Sequence, residues 1–257
     1  MYETLSSDYD RFVNWHNRLA YEMPFIERIV NQIQTGSPRS LHILDCACGT
    51  GMHAIALAQR GQQVSGADLF PQMIEISRQN AANAGVQVRF EVAGFGQLAA
   101  QFGQAQFDLL LCLGNSLPHL LSPADLADAL DDFALCLRPG GMLLIQNRNF
   151  DLVMQQKERW MEPQVHREGN IEWLFQRFYD FEGDGLIRFN IVTLKNENGA
   201  GWQSSVASTR LRPQLHAELQ SALSLAGFES IHPYGSLAGD PFSAASSGNL
   251  VLTAVRT

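Results

Sequence analysis

The sequence predicts an α/β protein: a doubly wound, mainly parallel sheet with helices on both faces, preceded by a helix and interrupted late by antiparallel strands. Three observations predict it. From residue 41 to about residue 147, short apolar runs alternate with helix-period stretches, the pattern of consecutive βαβ units. Between residues 151 and 210 the segments become long and roughly alternating, with Gly-containing turns between them, as half-covered antiparallel strands do. The tail then returns to helix and strand signals, with its final strand close to the C-terminus.

Each element has its own signal. Residues 10–34 carry Phe12, Trp15, Leu19, Met23, Ile26, Ile29, Val30 and Ile33 at helical spacing before a GSP break, which predicts a lead-in helix interrupted near Pro24. LHILDC (41–46) reads as a strand, 51–60 as a helix, QVSGAD (63–68) as a strand, and 71–84 as a helix opened by Pro71. VQVRFEV (86–92) and FDLLLCLG (107–114) read as strands, 123–137 as a helix, and GMLLIQN (141–147) as a strand after the turn LRPGG. IEWLFQRFYDFEG, LIRFNIVTLKNENG and GWQSSVASTRLRP then form the inserted antiparallel segment. LHAELQSALSLAGF is a helix ending at Gly227, followed by strand FESIHPYG, the soft stretch SLAGDPFSAASSG (236–248) and strand NLVLTAVR. Three regions follow: a lead-in or lid at 1–40, a core at 41–150 and 211–257, and inserted strands at 151–210 serving as a substrate cap or an oligomer contact.

Composition narrows the function. The chain has 257 residues, 46% hydrophobic, enough for one large domain or one domain with an added lobe. Its net charge of −8, without a cluster of Lys or Arg, argues against a nucleic-acid partner and favours a small molecule. The N-terminus lacks the regions of a signal peptide, and no apolar run approaches the roughly 18 residues of a membrane span, so a cytoplasmic protein with no membrane partner is expected. Cys46, Cys48, Cys112 and Cys136 lie in apolar or small-residue contexts, as reduced interior cysteines do, and the C-x-C pair lacks a second pair at metal spacing, so no metal is expected.

The most informative stretch is HILDCACGTGMHAIALAQRG, residues 42–61. A strand ending in Asp45, then Ala47, Gly49 and Gly51, then a helix, leaves backbone N–H groups and a helix N-terminus open to a ligand's polar end. Gly49-Thr-Gly51-x-x-Ala54 also fits a dinucleotide fingerprint, and Asp68 stands near the position of an acid that holds ribose hydroxyls. The glycines alone therefore leave NAD and S-adenosylmethionine both open. Asp45 inside the turn favours the second, because a diphosphate would be repelled there while an amino-acid ammonium would be welcomed. The LRPGG turn before a fifth strand, and the closing order strand, soft loop, strand, point the same way.

Here the chain resembles the class I S-adenosylmethionine-dependent methyltransferases, whose first motif D-x-A-C-G-T-G (45–51) is similar to. The resemblance implies a Rossmann-like seven-stranded sheet whose last strand is antiparallel. CLGNSLPHL (112–120) and NRNFD (147–151) resemble the corresponding segments of glycine N-methyltransferases and their small-molecule relatives, and LRPGG and YGSLAGDPF resemble segments of the wider group. The resemblance runs from about Tyr9 to the end and is strongest over 41–151. The inserted strands match only in outline.

Residue roles follow in part from chemistry and in part from the resemblance. Asp68 either accepts both ribose hydroxyls or caps the helix opening at Pro71, and Leu69 and Met73 are grouped with it around the cofactor. Asp45 carries the ammonium or satisfies the turn's orphan N–H groups. EVAGFGQL departs from the family's acid or amide after the third strand, so adenine falls to Gly94 and Phe95, with Phe95 stacking on the ring or packing in the core, and with Gln97 or a backbone carbonyl for the exocyclic amine. Leu113, Gly114 and Asn115 leave the fourth strand where strand order reverses, the expected place of reacting groups, and His119 follows either as a site residue or as a turn residue. By resemblance Arg148 binds a substrate carboxylate, a task suited to a planar guanidinium; alternatively it pairs with Asp151. Tyr9 resembles an N-terminal Tyr that closes over the site, or else anchors the first helix.

The expected reaction is in-line methyl transfer to the neutral amine of an amino-acid-like acceptor, driven by positioning and desolvation. A hydroxyl acceptor would need His119 as base. The alternatives in other classes are an NAD-dependent oxidoreductase and a module that holds cofactor without turnover. Trp160, Trp173, Phe175, Arg177 and Trp202 line the acceptor pocket or pack a core or subunit contact, and a homo-oligomer through an inserted edge strand is an open possibility.

Overall fold

Strands buried on both faces need mostly apolar side chains, and FDLLLC, apolar but for Asp108 near its start, is buried throughout. The computed structural model describes residues 9–35 and 39–257. Its main sheet contains β1 (His42–Cys46), β2 (Gln63–Asp68), β3 (Arg89–Val92), β4 (Phe107–Cys112), β5 (Leu137–Arg148), β10 (Phe228–Tyr234) and β11 (Asn249–Arg256), in the order β10-β11-β5-β4-β1-β2-β3. β1 to β5 pair in parallel, whereas β11 runs antiparallel to both β5 and β10. The doubly wound, seven-stranded expectation holds. Chain order reverses between β1 and β4, so the loops after these strands diverge and leave a crevice at their C-terminal ends.

Two apolar layers clothe this sheet. On one face α2 (Trp15–Gln34), α3 (Met52–Gln59) and α4 (Pro71–Asn83) bury Met23, Ile26, Ile29, Ile55, Leu57 and Ile74 against β1 and β4. On the other, α5 (Leu98–Phe102), α6 (Pro123–Cys136) and α8 (His216–Leu225) contribute Leu98, Phe102, Leu126, Phe133, Leu219 and Leu223. All four cysteines are free and buried. No helix among the described residues is long and apolar enough to cross a membrane.

The lead-in differs from expectation. α2 passes through Pro24 without a break, and the interruption falls at Val13–Asn14, after a short α1 (Tyr9–Phe12). Asn14 caps α2 by accepting the Asn17 N–H at 3.1 Å. Proline removes one helical hydrogen bond, about 3 kcal/mol in an isolated helix, but Met23, Phe25 and Ile26 around it are all buried, and that packing holds the helix straight through.

The inserted strands form a separate antiparallel sheet, β6-β7-β8-β9, from β6 (Gln164–Glu168), β7 (Ile171–Phe181), β8 (Ile187–Glu197) and β9 (Trp202–Leu211). Trp173, Phe175 and Ile191 form one apolar cluster on it; Tyr179, Ile187 and Leu211 form another with Phe150 and Val153 of α7 (Phe150–Gln156). The lead-in is fastened to this sheet, because Arg11 pairs with Glu168 at 3.0 Å and the Phe12 ring stands edge-on to Phe175 at 5.4 Å. The sheet borders the C-terminal end of the crevice through Thr209 of β9 and Arg177 of β7.

Candidate active site

The turn after β1 is built for backbone exposure. Ala47, Gly49 and Gly51 all take positive φ, a conformation that disfavours larger side chains. Cys48 N–H donates to the Ala67 carbonyl at 2.8 Å, while Gly49 N–H donates to Asp68 Oδ2 at 2.9 Å. Asp68 Oδ1 accepts the Phe70 N–H at 3.0 Å. The acid thus accepts the N–H of Phe70, the residue that opens α4, and also faces the crevice, where it would meet a ligand's hydroxyls. Gly49 N–H, which a dinucleotide's diphosphate would want, is already occupied by Asp68.

Asp45 is the other decisive group. It is 2% exposed, and its Oδ2 has no hydrogen-bond partner among the described residues. Burial pushes its carboxyl up to about 6, and Asp68 adds to the rise, while His53 and Arg18 pull the other way. A buried carboxylate oxygen left without a donor costs free energy. An ammonium placed there would repair it.

Asp45, Ala47, Gly49, Asp68, Leu69, Met73, Gly94, Phe95 and Leu113 come together around one cavity of about 390 Å³, which His119 also lines. Gln97 lines it too and accepts the Gly94 N–H through Oε1 at 3.3 Å. Phe95 packs edge-on to Phe133 at 5.5 Å, as the core reading expects, and also borders the cavity. Gly51 stands behind the turn, where an added Cβ would sit 2.7 Å from the Phe90 ring and 2.8 Å from Ser77. It is there to let α3 approach β3 and α4. The side chain of Tyr9 lies outside the described residues.

Sequence reasoning missed Trp15, Arg18 and His53 on the cavity wall. They form one network: Glu22 accepts from Arg18 Nε at 3.1 Å and meets His53 Nε2 at 2.6 Å, and Trp15 packs edge-on to His53 at 5.5 Å. Burial acts to raise the Glu22 carboxyl, but its bonds to His53 and Arg18 win and hold it low. The readable signal was an Arg and a Glu four residues apart within an otherwise apolar helix face.

A second cavity, of about 920 Å³, adjoins the first, and Arg18 and Gly114 line both. Asn115 and Arg148 belong to this one. Asn115, at φ +65°, donates its N–H to the Gln146 carbonyl at 3.0 Å and accepts the Arg148 N–H at 2.9 Å, tying the end of β4 to the end of β5. Asp151 does not pair with Arg148; its carboxylate accepts the His216 N–H at 2.9 Å. Arg148 Nε is buried and without a partner. Of the inserted aromatics, Trp160 borders this cavity beside Arg177, Trp173 and Phe175 are core, and Trp202 is exposed.

Comparison with known proteins agrees with this geometry. A family model described as a methyltransferase domain matches residues 43–141. The glycine/sarcosine N-methyltransferase of Parasynechococcus marenigrum (strain WH8102) is 31% identical over 203 residues, 75% of this chain and 70% of that one. The chain belongs to the class I S-adenosylmethionine-dependent methyltransferases. The glycine/sarcosine N-methyltransferase of Aphanothece halophytica is 27% identical over 88% of this chain and 79% of its own length. An S-adenosylmethionine-dependent methyltransferase of Clostridium acetobutylicum shares the fold at a TM-score of 0.78 and 15% identity, covering 99% of this chain and 98% of that one.

The first cavity of this methyltransferase fits the cofactor's parts. Asp45 would hold the ammonium, Asp68 the ribose hydroxyls, and Gly94, Phe95 and Leu69 the adenine end; what S-adenosylmethionine supplies there is a sulfonium methyl open to in-line attack. Gly114 and Arg18, common to both cavities, mark where the two adjoin.

Proposed function

We propose that this methyltransferase methylates the amine nitrogen of a small, amino-acid-like acceptor seated in the second cavity. The observation that carries this is Arg148: a half-buried guanidinium, its Nε unpartnered, in the cavity adjoining the cofactor's. A carboxylate gripped there would hold the acceptor's nitrogen toward Gly114. The two glycine/sarcosine N-methyltransferase relatives support the same acceptor class.

Nitrogen is favoured over oxygen by the state of His119. Burial pushes this imidazole down to about 4, so it is neutral at physiological pH and a weak base for stripping a hydroxyl proton. A neutral amine needs no such base. The residues contribute positioning and dryness: Arg148 orients the acceptor, Asn115 fixes Arg148's backbone, and Trp15 and Thr209 wall the cofactor cavity.

The test is methyl transfer to a panel of amino acids and their hydroxy-acid analogues, with Arg148→Gln beside wild type. Losing one charge-assisted carboxylate grip of about 1.5–3 kcal/mol is expected to raise the acceptor KM roughly tenfold to a hundredfold while the S-adenosylmethionine Kd stays within twofold. Turnover of hydroxy acids in place of amines, or an unchanged KM in Arg148→Gln, overturns the reading.

A further inference from the structure

Arg148 has a companion the reaction has not yet used. Arg177, on β7, borders the same cavity, and its Nε is likewise buried with no hydrogen-bond partner. Its guanidinium carbon lies 5.1 Å from the Phe12 ring, a contact that does not neutralise charge. The other arginines between residues 151 and 212 behave differently: Arg159, Arg167, Arg188, Arg210 and Arg212 all pair with carboxylates. Among the described residues, neither Arg148 nor Arg177 has a carboxylate partner.

The acids bordering the cavity do not fill the gap. Glu22 is engaged by Arg18 and His53, and Glu158 and Glu162 stand exposed at its rim. Burial, and next the charge of Arg148, lower the Arg177 pKa, while the buried Tyr179 feels both guanidiniums. Two half-buried guanidiniums bordering one cavity without counter-charge carry a cost that is ordinarily compensated. One carboxylate neutralises only one of them, and 920 Å³ is far more room than the smallest amino acids need.

Resting on the reading of this cavity as the acceptor site, we propose that Arg148 and Arg177 together hold a doubly charged anionic group, so that the acceptor amine carries two carboxylates or a phosphate. Arg148 grips one charge and Arg177 the other, which turns the inserted sheet into the element that selects the acceptor.

The experiment titrates acetate, glutarate and methyl phosphate calorimetrically, at pH 7.5, into the full chain saturated with S-adenosylhomocysteine. These probes contain no amine, so anion selectivity is read even if no methyl transfer is found and the function proposed above fails. A dianion, glutarate or methyl phosphate, is expected to bind at least tenfold tighter than acetate, and whichever does so names the source of the charge. Arg177→Gln is expected to erase that preference while leaving the acetate Kd within twofold, and Arg177→Lys to keep part of it. Equal binding of acetate and both dianions by wild type overturns the proposal, as does an Arg177→Gln that weakens acetate as much as the dianion. If Arg177→Gln fails to fold, Arg177→Lys decides: a preference reduced at least threefold supports the site, and an unchanged one overturns it.

Discussion

At the scale of one residue, Asp45 shows a carboxyl kept at a cost to the fold. Its carboxyl is raised to about 6, chiefly by burial, so the fold favours the protonated form relative to the unfolded chain. The contribution to stability is then fully present below the unfolded value near 4 and is lost as pH rises through about 6. Asp45→Asn, which keeps the shape and removes the charge, is expected to stabilise the empty protein at pH 7.5 by on the order of 2 kcal/mol, read as a higher Tm. If Asp45 holds the cofactor's ammonium, binding is expected to have the opposite dependence, because an ammonium needs the ionised carboxylate. In wild type the S-adenosylmethionine Kd is expected to be flat above about pH 6 and to weaken about tenfold per unit below it. In Asp45→Asn the Kd should be weaker at pH 7.5 and the slope gone. A slope that survives the substitution would belong to Asp68, whose carboxyl burial also raises. Asp45 and Asp68 were legible in the sequence because an acid ending a strand beside a glycine turn has few purely structural uses. His53 was not, because its meaning lies in the contact with Glu22 between α2 and α3 that no local pattern records, and the Arg18–Glu22 spacing by itself did not point to the site.

At the scale of elements, legibility followed whether the stabilising partner is local. The strands from LHILDC to GMLLIQN could be read because continuous apolar runs require cover on both faces. α5 could not: its first N–H groups, on Leu98 and Ala99, are taken by the Asp132 carboxylate from α6 at 2.8 and 2.9 Å, a cap supplied from 33 or 34 residues away. β6 was too short and polar to show a period, and Pro24 misled because tertiary packing overrode a local rule. The glycine turn was read for its ligand, yet Gly51 serves the joint between α3, β3 and α4. Gly51→Ala combines φ +81° with a Cβ 2.7 Å from Phe90, and is expected to destabilise the protein by about 2–3 kcal/mol in urea denaturation. A loss below about 0.5 kcal/mol would mean that the joint yields more easily than its geometry implies.

At the scale of the whole molecule, stability and function are placed at opposite ends of the sheet. The crevice opens where β1 and β4 end, whereas Asp108 sits near the start of β4 and gathers the lead into β1 and the start of β5. Its carboxylate accepts two bonds from Arg39 at 2.6 and 2.8 Å, one from Arg138 at 2.6 Å and the His42 N–H at 2.8 Å. Burial acts to raise this carboxyl, but the two guanidiniums and the N–H outweigh it and hold it well below the usual range. A depressed folded value gives stability that is present above about pH 4 and is lost as pH falls toward the folded value. Asp108→Asn is accordingly expected to cost about 2–3 kcal/mol at pH 7 and to flatten the acid limb of the stability curve. The S-adenosylmethionine Kd and the acceptor KM should be unchanged, since none of these groups reaches either cavity. If the Kd shifts with stability, the two ends are coupled through β1 and β4, and the crevice depends on the tension of the strands that frame it rather than on its own loops.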